Sequence, residues 1–142
     1  MIVLLAGGAG YIGSHTAVEF LNAGYDVVIA DNLYNSKREA VRRVEEITGK
    51  KVGFYEIDVC DKEALTKVFT EHPIGAVVHF AGLKAVGESV AQPLRYYRNN
   101  LDSTLALLEV MKEHGCHNFV FSSSATVYGT PPTVPFYYFT FN

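Results

Sequence analysis

A glycine-rich turn between a short apolar segment and an amphipathic one constrains the fold of this chain more than any other feature. The turn, residues 7–13, reads Gly-Gly-Ala-Gly-Tyr-Ile-Gly and follows the apolar segment 2–6, which is predicted to be a buried strand. Apolar residues in the next segment, 14–21, are spaced as on one face of a helix. This order puts the N–H groups of a helix N-terminus beside a turn without side chains, which suits a diphosphate.

Three of these glycines have separate predicted roles. A Cβ at Gly7 or Gly10 would hold phosphates away or forbid the turn, and one at Gly13 would push the helix off the strand. The glycines alone are also compatible with a loop that binds no ligand. The residue that favours a ligand is Asp31, which ends a second apolar run, residues 26–30. An acid there can accept hydrogen bonds from the adenosine ribose hydroxyls and repels a 2′-phosphate, so we predict a dinucleotide site that prefers NAD to NADP.

Strand-like and helix-like segments alternate along the rest of the chain. Further strands are predicted at residues 52–58, 74–80 and 118–122, and further helices at residues 37–48, after Asp61 and at residues 93–113. Five such units with continuous apolar strands predict a doubly wound α/β fold around a parallel, Rossmann-like sheet. Every candidate site residue follows a strand, so all of them are expected to meet at the carboxyl edge of that sheet.

Two of the predicted helices carry apolar stripes. In the helix at 37–48, Val41, Val44 and Ile47 are predicted to face inward. In the helix at 93–113, apolar residues recur at helical spacing, at Leu94, Tyr97, Leu101, Leu105, Leu108 and Met111.

Composition excludes several classes of function. With 142 residues the chain is predicted to be one domain, and its net charge of −3 provides no basic field for nucleic acid. No apolar run approaches a membrane span, and Met1 leads directly into the first strand, so we expect no leader, no membrane partner and a cytoplasmic location. Cys60 and Cys116 are expected to be free thiols, and the five histidines share no metal-ligand spacing, so no metal site is predicted.

Polar residues after the second and third strands leave two interpretations open in each case. The loop at 32–36 either closes over the adenosine or simply ends in Ser36 as the N-cap of the next helix. Asp58 either contacts the adenine amino group or precedes a helix, for which Asp61 is the better N-cap. After the fourth strand, Ala81 and Gly82 allow the backbone to approach a cofactor closely.

Three separated motifs carry a resemblance to a known family. They are Gly-Gly-Ala-Gly-Tyr-Ile-Gly-Ser-His at residues 7–15, His-Phe-Ala-Gly-Leu-Lys-Ala-Val-Gly-Glu-Ser at residues 79–89, and Phe-Ser-Ser-Ser-Ala-Thr-Val-Tyr-Gly at residues 121–129. Together they resemble UDP-glucose 4-epimerase, an extended short-chain dehydrogenase/reductase, over residues 2 to about 129. The middle motif is the most specific, since many unrelated activities share the glycine turn.

The resemblance implies an isomerase of galactose metabolism. The family interconverts UDP-glucose and UDP-galactose with one tightly held NAD, which takes a hydride from the sugar C4 and returns it to the opposite face. The implied partners are therefore NAD, a UDP-sugar and a second copy of the chain. Such a protein has to orient nicotinamide and sugar and move one proton.

Carried over by position, the resemblance implies a contiguous set of cofactor-binding residues. The glycine turn would bind the pyrophosphate, the residues after the second strand the adenosine, those after the third strand the adenine, and the remaining ones the middle and the ribose side of the cofactor. The full set is Gly7, Gly10, Tyr11, Ile12, Gly13, Asp31, Asn32, Leu33, Tyr34, Asn35, Ser36, Asp58, Val59, Phe80, Ala81, Gly82, Leu83, Lys84, Asn99 and Ser124. Ser124 would also act as a catalytic residue by hydrogen bonding to the sugar 4-hydroxyl. From the sequence alone, Lys84 is equally compatible with an ordinary surface lysine.

The chain departs from the family pattern in two places. Ala6 stands where the family usually has a threonine, and loss of that hydroxyl is expected to weaken a turn hydrogen bond by about 1 kcal/mol without abolishing the site. The second departure concerns the catalytic base, a tyrosine in a Tyr-x-x-x-Lys pair whose lysine lowers the phenol pKa. No tyrosine of these 142 residues has a lysine four positions later. We therefore expect the chain as given to be a fragment that is inactive alone, without a substrate domain, and to form no stable dimer.

Residues 130–142 differ from the rest of the chain. They contain three prolines and five aromatic residues without a helical or strand period. We predict an NAD-binding domain at residues 1–129 and a tail outside the family pattern at 130–142. The tail is either the product of premature termination or a segment that covers an exposed sheet edge.

Two other functions compete with this interpretation. The first is a non-catalytic module that binds a dinucleotide or a partner chain. The second is a nucleotide-sugar 4,6-dehydratase, a class that carries an Asp-Glu pair just after the fifth strand. Ala125 and Thr126 occupy that place here, so the acid and base of the dehydration are missing and the second alternative is disfavoured.

Overall fold

Five strands and five helices make up the part of the chain that the computed structural model describes, residues 1–124 and Val127. In chain order they are β1 Ile2–Ala6, α1 Tyr11–Asn22, β2 Asp26–Asp31, α2 Arg38–Thr48, β3 Gly53–Glu56, α3 Lys62–Glu71, β4 Ile74–His79, α4 Val86–Ala91, α5 Pro93–Glu113 and β5 Asn118–Phe121. All five predicted strands are present. The six-residue α4 was not predicted, and α1 begins inside the glycine turn rather than after it.

The strands form one parallel sheet in the order β3-β2-β1-β4-β5. β1 is central, because its residues Ile2 to Ala6 pair with Asp26 to Ala30 of β2 on one side and with β4 on the other. The chain thus winds outward from β1 first in one direction and then in the other. The crevice at such a reversal, outside the carboxyl ends of β1 and β4, is where open α/β sheets bind ligands. The predicted doubly wound, Rossmann-like fold is confirmed.

The core consists of two apolar layers, one on each face of the sheet. Side chains of β1 alternate between them: Leu4 and Ala6 pack with α3 and α5, whereas Val3 and Leu5 pack with α1 and α2. All four are fully buried. A strand covered on both faces has to be apolar at every position, which is why residues 2–6 lack the alternation of a half-exposed strand.

In α2, Val41 and Val44 are buried as predicted, and only the inward position predicted for Ile47 is wrong. Ile47 is 71% exposed, because Val41 and Val44 alone bring α2 against the sheet. The apolar stripe of α5 from Leu94 to Leu108 faces outward, and the helix buries a different set: Tyr96, Ser103, Ala106, Leu107, Val110 and Met111. This helix has apolar residues on two faces, and spacing alone does not tell which of them contacts the sheet. None of the helices in residues 1–124 is both long enough and apolar enough to cross a membrane.

Gly7 and Gly24 share a backbone conformation but differ in what an added Cβ would contact. Both have left-handed backbones, with φ of 78° and 87°. A Cβ at Gly7 would lie 2.6 Å from the Ala81 backbone nitrogen, whereas one at Gly24 would meet nothing within 4 Å. We expect Gly24→Ala to lower the free energy of unfolding by about 1 kcal/mol through conformation alone, and Gly7→Ala by about 3 kcal/mol or more through added overpacking.

Urea unfolding of the two variants measures this difference. Equal losses of unfolding free energy in both variants would contradict the close approach of Gly7, in the turn after β1, to Ala81, in the segment after β4.

Candidate functional site

A crevice of about 520 Å³ opens at the carboxyl ends of β1, β2 and β4. Seventeen of the predicted cofactor residues line it: Gly7, Gly10, Tyr11, Ile12, Gly13, Asp31, Asn32, Tyr34, Asn35, Asp58, Val59, Phe80, Ala81, Gly82, Leu83, Lys84 and Asn99. Residues from separate stretches of sequence therefore converge on one surface, as the strand-end argument predicted. Their role as ligand contacts stays a prediction. Sequence reasoning missed three other lining residues, Cys60, Arg95 and Ser103.

The glycine turn forms the floor of this crevice. A Cβ on Gly13 would lie 2.7 Å from the Gly7 carbonyl oxygen, and one on Gly7 would lie 2.6 Å from the Ala81 nitrogen. Both glycines are therefore required by the packing of the turn. Gly10 is different, since its Cβ would have only one neighbour, at 3.4 Å, and the space beside it is the crevice. Gly10 is the N-cap of α1 and provides no side-chain cap, so the first N–H groups of the helix have no side-chain partner there. Such a helix end binds anions.

Asp31 holds the turn and the following loop together from the end of β2. Its side chain is buried, 6% exposed, and its Oδ2 accepts a hydrogen bond from the Ala9 N–H at 3.0 Å. Its Oδ1 accepts from the Leu33 N–H at 2.9 Å and from the Ser36 hydroxyl at 2.7 Å. A carboxylate has about four acceptor positions, so about one remains for a ligand.

These contacts correct the alternative interpretation of Ser36. The N-cap of α2 is Lys37, without a side-chain cap, and the Ser36 hydroxyl is committed to Asp31. Leu33 and Ser36 are not lining residues of the crevice, and the Leu33 N–H and the Ser36 hydroxyl donate instead to the Asp31 carboxylate. They therefore act on the site through Asp31.

The opposite wall is held by a side chain that sequence reasoning did not single out. Asn100 accepts a hydrogen bond from the Leu83 N–H at 2.8 Å and donates one to the Leu83 carbonyl at 3.1 Å. The Asn99 side chain donates to Asn100 as well, at 3.0 Å. This pairing fixes the segment after β4 to α5 and so positions the neighbouring Lys84. The only signal for it in the sequence was the pair of adjacent asparagines.

At the β3 side, both interpretations of Asp58 are compatible with the structure. Its Oδ1 accepts from the Cys60 N–H at 2.9 Å just before α3, and the residue also lines the crevice. Asp61 is the predicted N-cap and accepts from the Ala64 N–H at 3.1 Å. Burial, followed by the charge of Asp58, raises the pKa of Cys60 to about 12, so this thiol stays protonated and is a weak nucleophile.

Comparison with known proteins identifies the family. The model of the NAD dependent epimerase/dehydratase family matches residues 3–140. The chain belongs to this family. It is 62% identical over 135 residues to a UDP-glucose 4-epimerase of Bacillus subtilis, covering 95% of this chain and 40% of the relative. A Schizosaccharomyces pombe UDP-glucose 4-epimerase is 63% identical over 129 residues, 91% of this chain and 36% of that protein.

Solved structures of the family share the fold. The crystal structure of UDP-glucose 4-epimerase from Bifidobacterium longum, in complex with NAD+ and UDP, has a TM-score of 0.91 and 57% identity, covering 96% of this chain and 41% of that one. The resemblance stated from the three motifs is thereby confirmed. The chain spans about 40% of the length of these relatives.

Some of the predictions that rest on the family concern residues at or beyond the end of the described part of the chain. Ser124 is exposed and follows β5 at the same edge of the sheet, but it is not among the crevice-lining residues. Ala125 and Thr126 lie outside the described residues, as does the predicted tail at 130–142. The division at residue 129 stays a prediction.

His79, at the end of β4, is a buried neutral imidazole at the start of the family's middle motif. It is 2% exposed, and its Nε2 lies 3.1 Å from the Thr104 hydroxyl. That hydroxyl donates to the Asn100 carbonyl, so the Nε2 of His79 carries the proton and donates. Its Nδ1 has no partner among the described residues. Burial, with a smaller contribution from the charge of Lys84, lowers the pKa of His79 to about 4.

This shift predicts a loss of stability in mild acid. Unfolded His79 binds its proton near pH 6.5 and folded His79 near pH 4, so the unfolded state binds more protons between these values. The stability due to the neutral ring is full above pH 6.5 and is lost as the pH falls toward 4. We expect His79→Gln to remove on the order of 2 kcal/mol of the loss that the unaltered chain shows between pH 7 and pH 4.5.

Urea titrations at several pH values provide the test, with His117→Gln, an exposed histidine, as the matched control. Parallel pH profiles for His79→Gln and the unaltered chain would refute a buried neutral His79.

Proposed function

We propose that this chain is the NAD-binding portion of a UDP-glucose/UDP-galactose 4-epimerase. The observation that carries the proposal is the crevice at the reversal of strand order. It has an uncapped helix N-terminus on its floor and the buried carboxylate of Asp31 at one end. A diphosphate and a ribose diol are the groups that these two features bind. The Bifidobacterium longum relative, named as a complex with NAD+ and UDP, supports the same ligand.

The proposed binding mode uses each wall for a different part of the cofactor. The N–H groups of Tyr11 and Ile12 bind the diphosphate, and the remaining acceptor position of Asp31 accepts from an adenosine ribose hydroxyl. Asp58 and Val59 flank the adenine. Phe80 to Lys84, with Asn99, line the middle of the dinucleotide and the second ribose. NADP is disfavoured because its 2′-phosphate would lie beside the Asp31 carboxylate, which has no cationic partner among its hydrogen bonds.

In the whole protein, NAD supplies a hydride acceptor and donor for the sugar C4. The residues of this chain orient the cofactor against the sugar, and Ser124 hydrogen-bonds the sugar 4-hydroxyl. The tyrosine-lysine base that the reaction needs is not among these 142 residues. A polypeptide limited to them is therefore proposed to bind NAD without epimerising UDP-galactose, and a binding module without catalysis is the second candidate function. The homodimer implied by the family and the cytoplasmic location expected from the sequence remain predictions for the whole protein.

Isothermal calorimetry of the 142-residue chain with NAD and NADP tests the proposal. We expect NAD to bind with a measurable heat and NADP to bind at least tenfold more weakly. The 2′-phosphate of NADP is repelled by the Asp31 carboxylate and also removes the hydrogen bond from the ribose hydroxyl. Asp31→Asn is expected to weaken NAD binding about tenfold and to abolish the discrimination between the two cofactors. The matched control is Asp26→Asn, since Asp26 is exposed at the opposite end of the same strand.

A folded chain that releases no heat with millimolar NAD would disprove the proposed site. Because Asp31 also supports the turn, circular dichroism of each variant shows whether it is folded before its affinity is compared. Conversion of UDP-galactose by the 142-residue chain would contradict the proposed need for the absent base.

A further inference from the structure

One contact joins the two walls of the crevice. The guanidinium carbon of Arg95, in the first turn of α5, lies 5.0 Å from the centroid of the Tyr34 ring, in the loop after β2. Both residues line the crevice. Arg95 belongs to none of the three motifs, and nothing in the sequence pattern indicated a contact with the adenosine-side loop.

An ion pair with Glu88 holds Arg95 in this position. Its Nη1 donates to Glu88 of α4 at 2.7 Å, and the Tyr96 hydroxyl donates to the other Glu88 oxygen at 2.5 Å. The Tyr96 hydrogen bond and then the Arg95 charge lower the pKa of Glu88, so this carboxylate is ionised at neutral pH. The short helix α4, which was not predicted from the sequence, thus carries the acid that orients Arg95.

The contact lies on the solvent side of the crevice. Tyr34 is 58% exposed and the Arg95 side chain 38%, whereas two other lining residues, Val59 and Asp31, are buried. Asp31 and Lys84 line the same crevice, so a molecule that lies along the sheet edge between them passes beside the Tyr34–Arg95 contact. Neither partner is backbone, so the closure can open by side-chain rotation.

We propose that Tyr34 and Arg95 form a clasp that closes over the bound dinucleotide and slows both its entry and its release. The inference rests on the proposed NAD site and adds a retention device to it. An exposed cation–π contact with one ion pair is weak, so the clasp opens often and its loss changes rates several-fold rather than by orders of magnitude.

A clasp is distinguishable from a direct ligand contact by kinetics. If Arg95 simply attracted the phosphates, removing it would slow association and speed release. If it closes the crevice, removing it leaves association unchanged or faster, while release speeds up. Tyr34 and Arg95 would also act as one unit, so that a variant lacking both releases no faster than either single variant.

Stopped-flow fluorescence of the 142-residue chain loaded with NADH and chased with excess NAD measures the release rate. We expect about fivefold faster release from Arg95→Gln, Tyr34→Ala and the double variant alike. Arg98→Gln, which removes the same charge from an exposed position of α5, should leave the rate unchanged. Arg95→Lys should release at a rate between those of the unaltered chain and Arg95→Gln, because an ammonium also makes a cation–π contact but lacks the planar guanidinium.

Two results would overturn the clasp. One is a release rate in Arg95→Gln equal to that of the unaltered chain, and the other is a double variant in which the two effects multiply. An unaltered chain that binds no NADH would instead overturn the proposed function itself, so the two failures are distinct.

Discussion

The hydrogen bond from the Ala9 N–H to the Asp31 carboxylate connects the two halves of the candidate site. It joins the turn after β1 to the end of β2, and the same carboxylate holds the loop from Leu33 to Ser36. Leu33 adopts a left-handed φ of 57°, unusual for a leucine, and the bond from its N–H to Asp31 stabilises that conformation. One buried carboxylate thus fixes the floor and one wall of the crevice, and it keeps about one acceptor position for a ligand.

The other wall is fixed by packing and by amide pairing. Gly7 lets the turn touch Ala81 of the segment after β4, and Asn100 then binds that segment at Leu83. The width of the crevice is therefore set by the close approach of Gly7 to Ala81 and by the hydrogen bonds of Asn100 to Leu83. A site built in this way is largely preformed, and the energy of binding is not spent on ordering it. On its exposed side, the Tyr34–Arg95 contact is made by two side chains.

The parts of this architecture that sequence predicted are those set by local rules. A turn that admits no Cβ, an acid at a strand end and strands apolar at every position leave few alternatives. The faces of α5 were not predictable, since Leu101 and Leu107 are equally apolar and only the sheet determines which of them is buried. Asn100 and Arg95 escaped notice because their partners lie 17 and 61 positions away in the chain, and polar side chains carry no periodic signal. From the sequence, the Ser36 hydroxyl could either cap a helix or belong to the loop around the site. In the structure it donates to the buried carboxylate of Asp31 and does not cap α2.

A crystal structure of the chain with NAD bound would test the central claim most directly, namely that a dinucleotide lies across the carboxyl ends of the parallel strands. We predict diphosphate oxygens within hydrogen-bond distance of the Tyr11 or Ile12 N–H, and one adenosine ribose hydroxyl within hydrogen-bond distance of the Asp31 carboxylate. NAD bound elsewhere on the molecule, or an adenosine remote from Asp31, would contradict it.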